Sequence, residues 1–360
     1  MNIFYVSEAN TGCSRWRAEI PAKYLRKRGH TVHFFGQDRI TTCPDAIVFG
    51  RMYKDGAELL KLYKWAKEKH VPIIYDTDDA VDLADAWNPV CTTREHVNDA
   101  LYMAANADIV TTTTPALAQH LRKWNPNVVV IPNSIDPEEW APEAKAPGAE
   151  VRVGWLGGST HFLDVAIVLD AIAELKKKIK FTFVIYGMTT LPSIKEAYQA
   201  NLKAEGNAFR TSPLGRAIKV FLKKSDGLQY EFVPFVPASQ YVRTLCDLRL
   251  DIGIAPLAET PFNRHKSCIK FYEYAMSGAV TLASNVIPYS TEVPDTCDNT
   301  RKAWVEAIAG LIESDSAGRL KSQREWVMTH RNIQNNVVMW EQVLSSPCVS
   351  EFQPRGGVRV

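Results

Sequence analysis

Long apolar runs are missing from this sequence: no stretch reaches about 18 consecutive apolar residues, so nothing in it reads as a membrane span. Paired cysteines are missing as well. The seven cysteines, Cys13, Cys43, Cys91, Cys246, Cys268, Cys297 and Cys348, are odd in number and scattered, with no Cys-x-x-Cys spacing. They indicate neither a zinc site nor a disulfide framework. Free thiols fit a reducing compartment, so a cytoplasmic protein is expected. Residues 1–17 lack the basic start and following apolar run of a signal peptide, and none is expected. Neither charge dominates, since 42 lysines and arginines face 40 aspartates and glutamates for a formal net charge of +2. That balance neither demands nor excludes nucleic acid. His33, His70, His96, His120 and His330 have no metal-ligand spacing and read as structural or exposed.

What is present is the composition of a well-packed globular chain. Apolar residues make up 46% of the 360 positions and charged residues 23%, near the globular norm of about 25%. The length suits two domains of about 150 residues. Short β-rich runs alternate with helical periodicities. Residues 2–8 read as a strand, and Arg17 to Gly29 as a helix with Ile20, Tyr24 and Leu25 on one side and Gly29 as its stop. Alternating polarity over His30–Phe35, strands at 46–50, 72–76, 107–113 and 128–133, and helices near 57–69 and 115–123 follow. Strands that alternate with helices predict an α/β fold with a parallel sheet.

Residues 141–150, rich in Ala, Pro and charge and without periodicity, read as a linker. The pattern then restarts with strands at 151–158, 181–187, 230–236, 251–257 and 279–284 and helices near 162–177, 238–246 and 266–276. Residues 188–229 interrupt it, too long for an ordinary connection and expected to be a helical insertion or a mobile loop. Two such lobes create a cleft, and ligands in these folds sit beyond the carboxyl ends of the strands.

Four segments carry candidate chemistry. Gly157, Gly158, Ser159 and Thr160 follow a strand and open a helix, so the backbone, the hydroxyls and the helix N-terminus can receive a phosphate; the competing reading is an ordinary turn with Ser159 or Thr160 as N-cap. In the segment from Asn263 to Tyr274, a helix starting at Lys266 would align Lys266, Lys270 and Glu273 on one polar face at i, i+4 and i+7. Two ammoniums at a helix start make an anion site, and the carboxylate two turns on can accept bonds from ribose hydroxyls. The alternative is a solvated helix with a weak Lys270–Glu273 pair. Asp76, Asp78 and Asp79 cluster at the end of a first-lobe strand, where mutual repulsion is expected to raise at least one pKa; a helix N-cap cluster is the alternative. Arg15 and Arg17, in the loop after the first strand, can hold donor phosphates or an anionic acceptor, or be surface charge.

The run from Lys266 to Ser284, after a strand at 251–257 and before Pro288, resembles the donor-nucleotide segment of GT-B glycosyltransferases, in particular the retaining glycosyltransferase family four. Residues 128–136 resemble that family's strand leaving the first lobe and residues 151–165 its first phosphate loop. The resemblance implies two Rossmann-like lobes facing a cleft. The first would be an acceptor lobe over 1–140 and the second a donor-nucleotide lobe over 151–325. A helix over 326–345, carrying Trp326 and Trp340, would pack back on the first lobe, and 346–360 would be a frayed tail. It implies retaining transfer of a hexosyl unit from a nucleoside-diphosphate sugar, UDP-linked, to a hydroxyl, the leaving phosphate taking the acceptor proton.

Carried over by position, Glu273 resembles the second glutamate of the family's E-x7-E motif, the ribose ligand, while the first falls at His265. The Arg and Lys that follow the family's phosphate loop have no equivalent here, and Lys266 is the candidate replacement. Gly157, Gly158, Ser159, Thr160, Lys266, Ser267, Lys270 and Glu273 are thus the expected donor contacts, with Asp78 and His265 beside the sugar and Arg15, Arg17 and Asp79 on the acceptor side. Asp76 and Asp78 form a D-x-D pair, a metal signature in the other glycosyltransferase fold; the GT-B resemblance implies a diphosphate neutralised without metal, so no cofactor is expected. The acceptor stays open among glycan, lipid and DNA. Arg210, Arg216, Lys219, Lys223 and Lys224, interleaved with Phe209 and Phe221, suggest a phosphate-backbone grip, and some phage GT-B enzymes glycosylate hydroxymethylated bases in DNA. A sugar-nucleotide epimerase of the same fold and a non-catalytic nucleotide-binding module remain as alternatives.

Overall fold

The computed structural model describes residues 1–8, 11–38, 42–51, 56–88, 93–142, 149–158 and 161–346. Runs dense in β-branched and aromatic residues form two fully parallel six-stranded sheets. The first consists of β1 (Asn2–Val6), β2 (Thr31–Phe34), β3 (Ala46–Gly50), β4 (Ile73–Thr77), β5 (Ile109–Thr112) and β6 (Val128–Val130), in the order β2-β1-β3-β4-β5-β6. The second consists of β7 (Arg152–Leu156), β8 (Thr182–Tyr186), β9 (Glu231–Val233), β10 (Ile252–Ala255), β11 (Val280–Ser284) and β12 (Thr296–Cys297), in the order β12-β11-β10-β7-β8-β9. Helices cover both faces of each sheet, which is why the central strands are buried along nearly their whole length rather than on alternate residues. Strand order reverses between β1 and β3 in the first sheet and between β7 and β10 in the second. At each reversal the crossovers leave in opposite directions and open a crevice at the strands' carboxyl ends.

Helix starts obey local capping chemistry. Thr114 accepts from the Leu117 amide, Ser212 from that of Gly215 and Asn332 from that of Gln334. The first helical stretch begins earlier than expected, with Gly12–Ser14 and a wide π-turn at Arg15–Glu19 leading into Ile20–Lys27. The wide turn places both Arg15 and Arg17 inward.

The segment after β8 is helical: Leu191–Glu205, Asn207–Thr211 and Pro213–Ser225. Phe209 and Phe221 belong to the second lobe's core, where Phe221 meets Phe162 at 5.3 Å between ring centroids and Phe209 meets Tyr198 at 5.5 Å. A Cβ at Gly215 would come within 2.1 Å of the Phe209 carbonyl oxygen, so only glycine permits this corner. The expected basic surface interleaved with aromatics therefore does not form: the phenylalanines pack inward, and Lys224 is tied to the Ala166 carbonyl and Asp170.

Two tryptophans expected to act together separate. Trp340, in the helix Ile333–Leu344, lies 6.4 Å from Tyr5 of the first lobe and carries Arg17 over its ring. Trp326, in the preceding helix Ala317–His330, packs on Phe271 and Tyr272 of the second lobe instead. The chain returns to the first lobe only at the Ile135–Asn332 bridge.

Candidate functional site

The second-lobe crevice is floored by the turn after β7. Glycine is required at 157, where a Cβ would lie 2.6 Å from the Trp155 ring. The Gly157 amide donates to the Tyr186 carbonyl at 3.0 Å and is not available to a phosphate, contrary to expectation. The Gly158 carbonyl accepts from the His161 amide at 3.2 Å. Ser159 and Thr160 lie outside the described residues. His161 Nδ1 donates to Asp164 Oδ2 at 2.7 Å, and burial with the nearby Lys270 keeps the imidazole pKa below its usual value despite that carboxylate. Asp164, buried at the start of the helix Phe162–Leu175, also accepts from the Ala258 amide at 2.8 Å and from Asn263 at 3.3 Å. Burial would raise its pKa, but the bonds from His161 and Ala258 and the charges of His161 and Lys270 hold it down.

Opposite this turn stands the Lys266–Glu273 segment. The helix starts at Ile269, three residues later than expected, because Asn263–His265 forms a single tight turn and Lys266 leaves it extended. The alignment at i, i+4 and i+7 therefore fails for Lys266, which reaches the cleft from its own strand-like backbone. Its Nζ lies 3.1 Å from Asp79 Oδ1 of the first lobe and 4.4 Å from the Phe262 ring centroid. Lys270 makes no hydrogen bond or ion pair among the described residues, and Asp164, Lys266 and Glu273 act on it electrostatically. Burial pushes its pKa below that of a free lysine.

Glu273 was expected on a polar helix face but is 3% exposed. Burial pushes its pKa up to about 7, against a hydrogen bond from Tyr241 and the charges of Lys270 and Arg15. Ser267 Oγ accepts from Asn133 of the first lobe at 2.9 Å. His265 Nδ1 donates to the Pro261 carbonyl at 2.7 Å, its ring lies 5.1 Å from that of His120, and burial lowers its pKa. The imidazole thus faces the first lobe's His120, which is itself bonded to Asp82 at 2.9 Å.

On the first-lobe side, Arg17 is not a free cation. It is buried, with its Nε and Nη2 on the two oxygens of Asp76 at 3.0 and 2.7 Å and its Nη1 on the Ile131 carbonyl at 2.6 Å. Arg15 pairs with Glu139, and its charge acts on the carboxyl of Glu273. Arg51, not anticipated from the sequence, pairs with Asp79 and with Asp78 at 3.2 Å. Burial alone would raise the pKa of Asp79, but Lys266 and Arg51 hold it well below the usual carboxylate range, the reverse of the rise expected from clustered carboxylates. Asp78 lines a cavity of about 220 Å³ at the reversal between β1 and β3. His161, Asp164, Asn263 and Tyr241 are likewise members that residue patterns did not single out. The one available signal was the His161–Asp164 spacing of three at a helix start.

The two crevices face each other, and contacts between them, Lys266 with Asp79, Thr260 with Asp85 at 3.1 Å and Thr114 with the His265 carbonyl at 3.0 Å, close the cleft between the lobes. Two Rossmann-like lobes meeting in this way define the GT-B architecture of glycosyltransferases. The solved structures similar to this chain share that architecture. Sucrose-phosphate synthase from Thermosynechococcus elongatus superposes with a TM-score of 0.65 at 14% identity, over 95% of this chain and 97% of the other. A glycosyltransferase from Rickettsia africae ESF-5 gives 0.56 at 14% identity, over 97% and 99%. An alpha-glucosyltransferase in complex with UDP-glucose and DNA containing an abasic site gives 0.55 at 10% identity, over 95% and 98%. No family model and no curated protein matches the sequence.

Proposed function

We propose that this chain is a glycosyltransferase that moves a hexosyl unit from a nucleoside-diphosphate sugar, UDP-linked, to a hydroxyl, with retention at the anomeric carbon and without a metal ion. One observation carries the reading: Lys270, an ammonium without an ion-pair partner among the described residues, sits between Lys266 and the buried Glu273 at the second lobe's strand reversal. Such a group lacks the counter-charge that a diphosphate supplies, and as a diphosphate leaves, two ammoniums stabilise the charge that develops on it. Glu273, with Tyr241 beside it, is the ribose ligand. Asp78 orients the acceptor hydroxyl from the facing cavity, and His265 holds the segment that presents Lys266. The leaving phosphate oxygen takes the acceptor proton, so no protein base is required. Retention rests on the likeness of the Lys266–Ser284 segment to family four.

A melting-temperature screen of nucleotide sugars tests this, because a ligand at 100 times its Kd adds about 2.7 kcal/mol. UDP-glucose or a related UDP-sugar is expected to raise the melting temperature, and incubation with an acceptor to release free UDP. A donor bound and returned intact at changed stereochemistry points to an epimerase, and binding without turnover over any acceptor to a non-catalytic module.

A further inference from the structure

The cavity at the first lobe's strand reversal has a chemistry of its own. Tyr5 lines it, and the Tyr5 hydroxyl has no hydrogen-bond partner although the residue is 1% exposed. Glu8 lines it too, and its buried Oε1 is equally without a partner. Both residues belong to the lining, and leaving two buried polar atoms unmatched costs about 1–3 kcal/mol each, a cost that a hydroxyl-bearing ligand would relieve. The Ser7 and Ser14 hydroxyls stand 3.2 Å apart on the same wall.

The cations of the cavity are already matched. Arg17 is taken by Asp76 and Arg51 by Asp78 and Asp79. Among the described residues, three carboxylates (Glu8, Asp76, Asp78) and two guanidiniums (Arg17, Arg51) line the space, a surplus of one negative charge. Carboxylates only accept hydrogen bonds, so the ligand has to donate them. A phosphate or carboxylate entering here would meet a surplus of like charge. Among the described residues the one aromatic in the lining is Tyr5, and it is covered by Phe34 and Trp340, so it offers a flat base no open face to stack on. At about 220 Å³ the space is below the roughly 300–1,000 Å³ of drug-sized sites.

We infer that this cavity is the acceptor site and that it takes an uncharged, polyhydroxylated group about the size of one monosaccharide, with Glu8 and the Tyr5 hydroxyl as its specificity-determining contacts. The inference rests on the glycosyl-transfer reading for the word acceptor, but binding of the polyol does not depend on it.

Saturation-transfer NMR on the full chain, with glucose, mannose, N-acetylglucosamine, myo-inositol and glycerol each set beside its monophosphate, tests it directly. At least one neutral probe is expected to bind, with its monophosphate at least about tenfold weaker. Glu8→Gln is expected to weaken the neutral probe about tenfold, the range for a hydrogen bond to a charged group, and to narrow the gap to the monophosphate. Tyr5→Phe is expected to weaken the neutral probe several-fold. A monophosphate that outbinds its neutral parent, the absence of binding by any neutral probe, or Glu8→Gln binding like wild type overturns the inference. Should a variant fail to fold, the wild-type comparison still decides. Calorimetric titration with UDP-glucose runs in parallel. UDP-glucose binding without any neutral probe overturns the polyol site and leaves glycosyl transfer standing, whereas a neutral probe bound without any nucleotide sugar does the reverse.

Discussion

Lys266 Nζ of the second lobe lies 3.1 Å from Asp79 Oδ1 of the first, so the ammonium assigned to the donor diphosphate is also the pin between the lobes. Donor and Asp79 then compete for one charge. Asp79→Asn is expected to strengthen UDP binding several-fold, because it removes both a competitor and a like charge. It is also expected to lower the melting temperature of the free protein, since Lys266 and Arg51 lose their counter-ion. The depressed pKa of Asp79 means that its stabilisation is present at neutral pH and is lost as pH falls below the ordinary carboxylate value of about 3.8. Calorimetry with UDP and acid melting curves of the two proteins check both halves.

Glu273 gives the opposite pH sign. Its carboxyl rises from 4.5 to about 7 on folding, so between those values the folded chain binds the proton more tightly than the unfolded one. Stability is therefore expected to fall as pH rises from about 4.5 to about 7. Glu273→Gln removes this fall while keeping the shape and the Tyr241 contact. Melting temperatures for the pair, measured across that window, are expected to converge at the acid end and diverge at neutral pH, with the variant the more stable.

Phe221 decides between a core and a nucleic-acid face for the helices after β8. Because its ring is buried against Phe162, Phe221→Ala is expected to cost about 3–5 kcal/mol of stability. Replacing exposed Arg216 and Lys219 with Ser is expected to change stability by about 0.5 kcal/mol or less. Urea unfolding of both variants checks the contrast; a mild effect of Phe221→Ala would contradict the packing.

The order of strands and helices was legible because both obey local periods of 2 and 3.6. The turn at Gly157 was legible because glycines there follow a strand and precede a helix, and the segment at Lys266 because its lysines cluster after the next strand. Pairings across long stretches of chain were not. Nothing near Arg17 announces Asp76, 59 residues away, and nothing near Lys266 announces Asp79, 187 residues back. Those pairings turn apparent free charges into satisfied ones. The inward phenylalanines had a visible signal that the basic residues masked: Ala217, Ile218, Phe221 and Ser225 repeat at helical spacing along one buried face. The late start of the helix at Ile269 depends on the tight turn at Asn263–His265, whose Asn263 is anchored by Asp164 from 99 residues away, beyond the reach of local pattern.

The role proposed for the Lys270 ammonium is to hold a diphosphate in place of a metal ion. Its most direct measurement is calorimetric titration of UDP-glucose, in the presence of EDTA, into wild type and Lys270→Met. Metal-free binding is expected for the wild type and a loss of about 1.5–3 kcal/mol in the variant, the range for a charge-assisted hydrogen bond. The unliganded variant is expected to melt at or above wild type, because a half-buried charge with no ion-pair partner among the described residues is removed. Wild-type binding that disappears in EDTA and returns with magnesium or manganese, or equal affinities for the two proteins, would contradict it.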